Sequence, residues 1–366
     1  MRKMKNRAAA VGAAALASAV LLLTVPALAA DAARRGLELC ARTVIPSLFP
    51  FMVLAGLLTR SGIGRGMARA CGRPMRALFG VGGAGAPAIL LGAFCGFPVG
   101  AVSAAELTAR GELARVEAAR VLAVCSLPSA AFLISTLGEA LFGSRRTGWA
   151  VAGCVWGAGL ICGMAGKFLI GGQTGEREDT TEDAENGPPI PVSGGSGTAG
   201  MLTSAVSSAA AATVSVCAYV VFFSCLTGCL GAVLPPRAGA VVRAFFELTS
   251  GVSAAASLPD RRAGLVLAAG AAGWAGVSVH LQVAAAVGGR IPLRPYLASK
   301  AAQAVVAAGL CLAATAVFPS LTAAECIAAP AGSFPVSIGW WGEIPRAWAI
   351  FADLSFALSA AFCGRK

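Results

Sequence analysis

The side chains best suited to bind a ligand lie within uncharged stretches of the chain. His280 and Gln282 stand, together with Ser278, in a run from Ala263 to Gly289 that contains no Asp, Glu, Lys or Arg. An imidazole titrates near neutral pH, and imidazole and amide groups both hydrogen-bond carboxylates. The alternative is that His280 simply bonds to a neighbouring helix. The pattern makes Ser278, His280 and Gln282 candidate binding residues.

Glu247 is the second candidate, because it is an acid in a short apolar segment. It follows two phenylalanines and precedes Thr249. An ionisable group at membrane depth is costly and usually functional. The alternative is an interfacial glutamate paired with Arg243, four residues earlier on the same helical face. Glu247 and Thr249 are therefore included among the candidate binding residues.

A third candidate is a break in the uncharged run 77–105. This run is long enough to cross a bilayer, but Gly96, Pro98 and Gly100 interrupt it. Backbone groups freed at membrane depth must bond to protein or line a wet cavity, and a half-helix start attracts anions. Ser103, one turn later, adds a hydroxyl. The alternative is a proline kink that only helps helices to pack.

The elements that carry these residues are predicted to be membrane helices. The 366 residues are 57% apolar and 13% charged, and their mean hydropathy is +0.76. At about 20 residues per span, the apolar segments predict an all-α, polytopic helical membrane protein with about eight or nine spans. Ser47 lies between Pro46 and Pro50 at the start of one such segment. Because prolines can break a helix there, Ser47 is a weaker binding candidate.

Charge and cysteine usage exclude several classes of function. Basic residues exceed acidic ones by 12, but the arginines lie in short loops, where they set membrane orientation. No aromatic-studded basic patch suggests nucleic acid. The 12 cysteines lie mostly in apolar runs without a Cys-x-x-Cys pair, and there is a single histidine. We therefore expect packing cysteines, no metal site and no cofactor.

The chain divides at its charged and flexible segments. The basic start predicts a cytoplasmic N-terminus, and a signal-peptidase-like site at 27–29 leaves cleavage as the alternative to a retained span. The arginine-rich stretch 60–76 predicts a cytoplasmic loop, and the mixed charges of 106–120 predict an exposed helical connector. The predicted regions are an N-terminal span (1–30), a first transport repeat (31–170), an acidic flexible linker (171–200), a second transport repeat (201–320), and a loop with a C-terminal apolar segment (321–366).

The two predicted repeats look alike around their breaks. Gly96 matches Gly276, and Gly111 downstream matches Gly289 at nearly the same offset. Weak internal similarity of this kind is typical of transporters, whose repeats meet at the substrate site. Loop charges leave open whether the repeats are parallel or inverted. We expect the Gly96 and Gly276 breaks to approach each other near the bilayer midplane.

Four motifs occur in an order that resembles a known family. Over roughly residues 34–318, the chain resembles the sporulation integral membrane proteins of the YlbJ/SpoVV type, which are related to nucleoside-recognition "gate" domain membrane proteins. The motifs are Ile45–Phe51, Gly96–Ala101, Phe246–Gly251 and Gly276–Gln282. The resemblance implies a transporter active in endospore formation, with dipicolinic acid as the substrate moved from the mother cell towards the forespore. It also implies a bacterial cell membrane location, such as the outer forespore membrane.

Other function classes fit less well. Intramembrane proteases need paired aspartates, a serine–histidine arrangement or a His-Glu-x-x-His site, so we do not expect an enzyme. A nucleoside-type gate-domain transporter is the main alternative, and a non-transporting sporulation membrane scaffold is the less favoured one. The expected partners are a small organic anion and the lipid bilayer, without nucleic acid; a homo-oligomer is compatible with the sequence.

Overall fold

A computed structural model describes residues 2–60, 62–171 and 198–322 of the chain. The described residues form α-helices joined by short turns, two π-helical segments (Cys40–Val44 and Phe132–Leu141) and two 3-10 turns, and they contain no β-strand. The α-helices are α1 (Arg2–Thr24), α2 (Pro26–Leu39), α3 (Ile45–Arg60), α4 (Gly62–Phe79), α5 (Ala86–Cys95), α6 (Val99–Ala109), α7 (Arg115–Cys125), α8 (Arg145–Leu169), α9 (Thr198–Val233), α10 (Pro236–Phe246), α11 (Leu248–Ala256), α12 (Arg261–Trp274), α13 (Val277–Val287) and α14 (Leu293–Val317).

Several of these helices are long and apolar enough to cross a bilayer. In the described part of the chain there are 4 such segments, or up to 6 if each of two sharply bent helix pairs counts as one span. The 4 segments are Arg145–Leu169, Ala199–Leu230, Arg261–Val287 and Leu293–Val317. The helical membrane architecture is therefore confirmed, while the count of eight or nine spans and the repeat remain predictions.

The N-terminal region differs from the single span predicted for residues 1–30. Helix α1 ends at Thr24, and α2 begins at Pro26 after a bend of 105°. Proline favours the first turn of a new helix because it lacks the N–H that an interior position would need. Helix α2 then packs along α9, where an added Cβ at Gly228 would lie 2.7 Å from the Cβ of Ala32. Small residues thus allow these two helices to approach closely.

The arginine-rich stretch predicted to be a loop is a helix instead. Residues 62–79 form α4, on which Arg69, Arg73 and Arg76 are all exposed. Their spacing of three and four residues places them on one side of the helix. The part of α4 from Gly66 to Phe79 meets the segment Gly83–Cys95 at 97°. A charged segment can thus form an amphipathic helix beside a span, which charge counts alone do not distinguish from a loop.

The stretch 106–120, predicted to be an exposed helical connector, is exposed only in its middle, at the turn between α6 and α7. Glu106 is only 5% exposed in α6, and Arg120 is 6% exposed in α7. Arg120 donates hydrogen bonds to the carbonyl oxygens of Gly80 and Ile170, each at 2.7 Å. A buried arginine here satisfies carbonyls at the ends of α4 and α8, which need partners outside their own helices. The charges at the two ends of this stretch are therefore buried between helices, while those in its middle are exposed.

The buried core is built mainly from small and branched residues in three clusters. One joins α5, α6 and α7 to α13, a second joins α8 to α11, α12 and α14, and a third joins α3 to α9. Phe97 contacts both of the first two clusters, which places the α5–α6 break where they meet. The described cysteines are free thiols, and six of them are buried, as expected for packing residues.

Most of the predicted linker (171–200) and of the C-terminal region (321–366) lies outside the residues that the structure describes. Helix α9 begins at Thr198, so the last residues assigned to the linker 171–200 already belong to this helix. Residues 172–197 and 323–366 lie outside the described part of the chain. The flexible linker and the C-terminal apolar segment therefore stay predictions.

Candidate functional site

The described residues contain helix breaks that pack against each other in two pairs. The first pair consists of the break between α5 and α6 and the non-helical stretch 126–129 that follows α7. The second pair consists of Glu247, between α10 and α11, and Ala275–Gly276, between α12 and α13. Both motifs that the sequence singled out, at Gly96 and at Gly276, are thus true helix breaks.

Glycines allow the first pair of breaks to touch. The N–H of Phe97 donates to the carbonyl oxygen of Leu127 at 3.0 Å, so freed backbone groups of the two breaks satisfy each other. Gly96 has φ +81°, and an added Cβ there would lie 2.8 Å from the backbone nitrogen of Ser129. A Cβ at Gly100 would lie 2.5 Å from the carbonyl oxygen of Cys125. Larger residues would push the two segments apart.

Pro98 and the first turn of α6 complete this break. Pro98 is buried and is the N-cap of α6, and its carbonyl accepts from the N–H of Val102 at 2.9 Å. The first turn of a helix carries N–H groups without intrahelical partners, and these attract negative charge. The candidates Gly96, Pro98 and Gly100 therefore lie together at a helix start, as the sequence predicted.

Glu247 caps a helix that begins at the second pair of breaks. Its side chain is buried, and its two oxygens accept from the N–H groups of Thr249 and Ser250 at 2.9 and 2.7 Å. This is an N-cap of α11, in which a carboxylate satisfies unpaired donors and faces the positive end of the helix. In the described residues no ion pair joins Glu247 to Arg243, so the alternative of that ion pair is wrong for this structure.

Gly276 brings the α12–α13 break against Glu247. It has φ +87°, and an added Cβ would lie 3.1 Å from the backbone nitrogen of Leu248 and 3.2 Å from the Cα of Glu247. The carbonyl of Gly276 accepts from the N–H of His280 at 3.2 Å. Thr249, Gly276 and His280 therefore belong to one local arrangement, which the sequence order alone did not reveal.

His280 has one bonded and one unbonded ring nitrogen. Its Nδ1 lies 2.9 Å from the hydroxyl oxygen of Tyr296 on α14, and its ring meets the ring of Trp274 edge-on at 4.3 Å. Its Nε2 is buried and has no hydrogen-bond partner among the described residues. The bond to a neighbouring helix thus explains one nitrogen, and the other has no partner among the described residues. An unpaired polar atom at such depth costs free energy unless something bonds to it.

The remaining candidates are distributed more widely. Gln282 donates to the hydroxyl of Ser278 at 3.3 Å, and both residues are buried on α13. Ser103 lines a small cavity between α3, α6 and α9, beside Glu106 and Ser208. The cavity has a volume of about 10 Å³, which is near the minimum for one water molecule. No hydrogen bond joins Ser103 to His280 or Gln282, and the side chain of Ser47 in α3 lies outside the described part.

Lys300 and Gln303 are buried polar residues outside the predicted binding set, and the sequence showed no partner for Lys300. Lys300, on α14, is 0% exposed, and its Nζ donates to the carbonyl oxygen of Ser126 at 2.9 Å and to Oε1 of Gln303 at 2.6 Å. Gln303 in turn donates to the carbonyl oxygen of Ala123 at 3.2 Å. The signal was present, because a lysine beside an uncharged run is a functional candidate by default. Its partner, however, lies far away in the sequence.

The two helices that begin at the predicted motifs also pack together. Ala101 and Ala104 of α6 share a buried cluster with Val279 and Val283 of α13. The breaks themselves find their nearest partners within their own half of the chain, at Ser129 and at Glu247. Helices α6 and α13 thus contact each other, while the approach of the Gly96 and Gly276 breaks near the bilayer midplane stays a prediction.

The chain is similar to a curated membrane protein over part of its length. The protein named "Sporulation integral membrane protein YlbJ" from Bacillus subtilis (strain 168) is 29% identical over 154 residues. The matched segment covers 41% of this chain and 38% of that relative. No protein-family model and no solved structure matches the chain.

Proposed function

We propose that this protein is a membrane transporter that carries a small organic anion through a site between two halves built from broken helices. The observation that carries the proposal is the unpaired, buried Nε2 of His280 beside the Gly276 break, inside an apolar helical domain. In transporters, discontinuous helices offer their freed backbone groups and half-helix ends to substrates. The packing of α6 against α13 supplies the contact between halves that such a site needs.

Dipicolinic acid is the proposed substrate, moved during endospore formation. The partial relative is named as a sporulation integral membrane protein. The motif order resembles a family for which dipicolinic acid is the implied substrate. The first turns of α6 and α13 would direct N–H donors at carboxylates. Trp274, His280 and Tyr296 form edge-on ring contacts that suit a flat aromatic ligand. The proposed location is a bacterial cell membrane, with the outer forespore membrane as its specific place.

Individual residues take different parts in this proposal. His280, Gln282 and Ser103 would add directed hydrogen bonds to the substrate. Glu247 would anchor the second half, since a carboxylate that caps α11 has the wrong sign for direct contact with an anion. The same acid could carry a coupling proton if the break opens. Alternating access would then arise from rocking of one half against the other.

A nucleoside is the second candidate substrate. Ser278, His280 and Gln282 offer buried hydrogen-bonding groups, which also suit the base and sugar of a nucleoside. A scaffold without transport is the remaining alternative. It gives no account of a buried imidazole nitrogen with no partner among the described residues.

Uptake into lipid vesicles that contain the purified protein tests the proposal. Dipicolinate should accumulate saturably, above the leak into empty vesicles, and uridine or adenosine should not compete. Saturable nucleoside uptake without dipicolinate uptake would assign the second candidate substrate. Absence of both kinds of uptake would favour the scaffold.

A further inference from the structure

Lys300 is a buried amine whose hydrogen-bonding partners are all neutral. It lies in α14 with no exposed surface, and it bonds to a backbone carbonyl at Ser126 and to the side-chain amide of Gln303. No carboxylate pairs with Lys300 among the described residues. A buried charge costs several kcal/mol of stability unless it is paired, so such a group is seldom retained for packing alone.

The position of Lys300 partly compensates the cost of burying a positive charge there. Ser126 follows the last turn of α7, and Gln303 bonds to Ala123 in that same turn. The C-terminal end of a helix has a partial negative charge, which favours a cation nearby. An ammonium has three N–H donors, and the two acceptors here leave one without a partner. The helix end therefore stabilises the charge without neutralising it.

Two unpaired polar atoms belong to residues that are hydrogen-bonded to α14. The hydroxyl oxygen of Ser126 is buried and has no hydrogen-bond partner in the described part of the chain. The Nε2 of His280 is buried and unpaired in the same way. Tyr296, one turn before Lys300 on α14, fixes the His280 ring through its hydroxyl. The Lys300 amine and the residues of the two unpaired atoms are thus all linked through α14.

We propose that Lys300 is the cationic residue of the substrate site and pairs with a carboxylate of the transported anion. The ammonium exchanges its bond to the Ser126 carbonyl for a carboxylate oxygen, while the Ser126 hydroxyl and His280 Nε2 bond to the same ligand. This inference rests on the proposed transport function. Substrate binding would then loosen the contact between α7 and α14, because the same Nζ makes that contact.

The competing explanation is that Lys300 only caps the broken end of α7. The two explanations differ in their dependence on ligand charge. A binding cation favours dipicolinate over dipicolinamide, the neutral diamide of the same shape. A capping residue acts on the fold, so its loss weakens the binding of both ligands equally or changes neither affinity.

The test measures the affinity of the purified full-length protein for dipicolinate and dipicolinamide. Lys300→Gln should weaken dipicolinate binding at least about tenfold and change dipicolinamide binding by less than about threefold. Lys300→Arg should retain part of the preference for the anion. Lys167→Gln is the control, because Lys167 also bonds a backbone carbonyl, at Ala77, but at the surface. Equal losses for both ligands, or no loss, would overturn the inference.

A second variant decides the matter if Lys300→Gln does not fold. Ser126→Ala keeps the backbone carbonyl that Lys300 contacts and removes only the unpaired hydroxyl. It should weaken dipicolinate binding several-fold, and an unchanged affinity would contradict the proposed site. Wild-type protein that does not bind dipicolinate also overturns the inference. Binding without saturable uptake would contradict the transport function alone, and the comparison of the two ligands would still decide the role of Lys300.

Discussion

The Nζ of Lys300 donates a hydrogen bond to the carbonyl oxygen of Ser126 at 2.9 Å, across 174 residues of sequence. This bond joins α14 of the second half to the broken end of α7 in the first half. Gln303 makes a parallel contact to Ala123 one turn earlier. Freed backbone at one break is thus satisfied by polar side chains from the other half, as a dry environment requires.

The close approach of the first pair of breaks should be sensitive to a single methyl group. An added Cβ at Gly92 would lie 1.9 Å from the carbonyl oxygen of Cys125, so Gly92→Ala should destabilise the protein by about 1–3 kcal/mol. Thermal unfolding in detergent measures this effect. Gly153→Ala on α8 is the control, because nothing lies within 4 Å of its added Cβ. Equal melting temperatures for the two variants would contradict the packing described here.

Two substitutions of Glu247 should affect stability and turnover differently. Glu247→Ala removes both acceptors of the Thr249 and Ser250 N–H groups and should cost about 0.5–2 kcal/mol of stability. Glu247→Gln keeps one acceptor oxygen and should fold. We expect it to impair turnover, or the pH dependence of transport, more than substrate binding. Unchanged turnover at every pH would limit Glu247 to its capping role.

The two nitrogens of His280 can be tested separately. Tyr296→Phe removes only the hydroxyl that lies 2.9 Å from Nδ1, whereas His280→Ala also removes Nε2. We expect His280→Ala to weaken dipicolinate binding about tenfold, which is the loss of one hydrogen bond to a charged ligand, and Tyr296→Phe to weaken it less. Titration of both purified variants measures this difference. Equal losses would show that His280 matters only through Tyr296.

Helix α4 should face the cytoplasm. Arg69, Arg73 and Arg76 are exposed on it, and the flanking arginines of a span favour the cytoplasmic side. An Arg73→Cys variant, in a background without the native cysteines, should react with a membrane-impermeant thiol reagent in inside-out vesicles and not in intact cells. Labelling of intact cells would reverse the assigned orientation.

The acidic linker should be dispensable. Its acids, glycines and prolines cannot build a core, so residues 172–197 should be replaceable by a neutral Gly/Ser segment of equal length. Dipicolinate uptake by the two proteins should be equal within error. A loss of uptake after the replacement would assign this segment a role that its composition does not predict.

The helix breaks were predictable from sequence, whereas their partners were not. Gly96, Pro98 and Gly276 break helices for local reasons that their residue types express directly. Glu247 was recognisable as an unusual acid, but its use as the N-cap of α11 depends on where α10 ends. Lys300 is visible in the sequence beside an apolar segment, but its partner is not, because its acceptor at Ser126 belongs to the other half of the chain.

Burial of charged residues was the main source of error. Glu106 and Arg120 stand in a charged stretch that a solvated helix would explain equally well. The structure buries both of them, since Arg120 bonds to carbonyls at Gly80 and Ile170 that come from distant segments. Which helix ends lie nearby is a property of tertiary packing, and the local pattern contains no record of it.

The most direct test of the central claim is the initial rate of dipicolinate uptake into vesicles containing wild-type protein or one of three variants. Wild-type protein should show saturable uptake, and Pro98→Ala, His280→Ala and Glu247→Gln should each reduce it, the first two through weaker binding and the third through slower turnover. Full activity in all three variants would contradict a substrate site at the helix breaks.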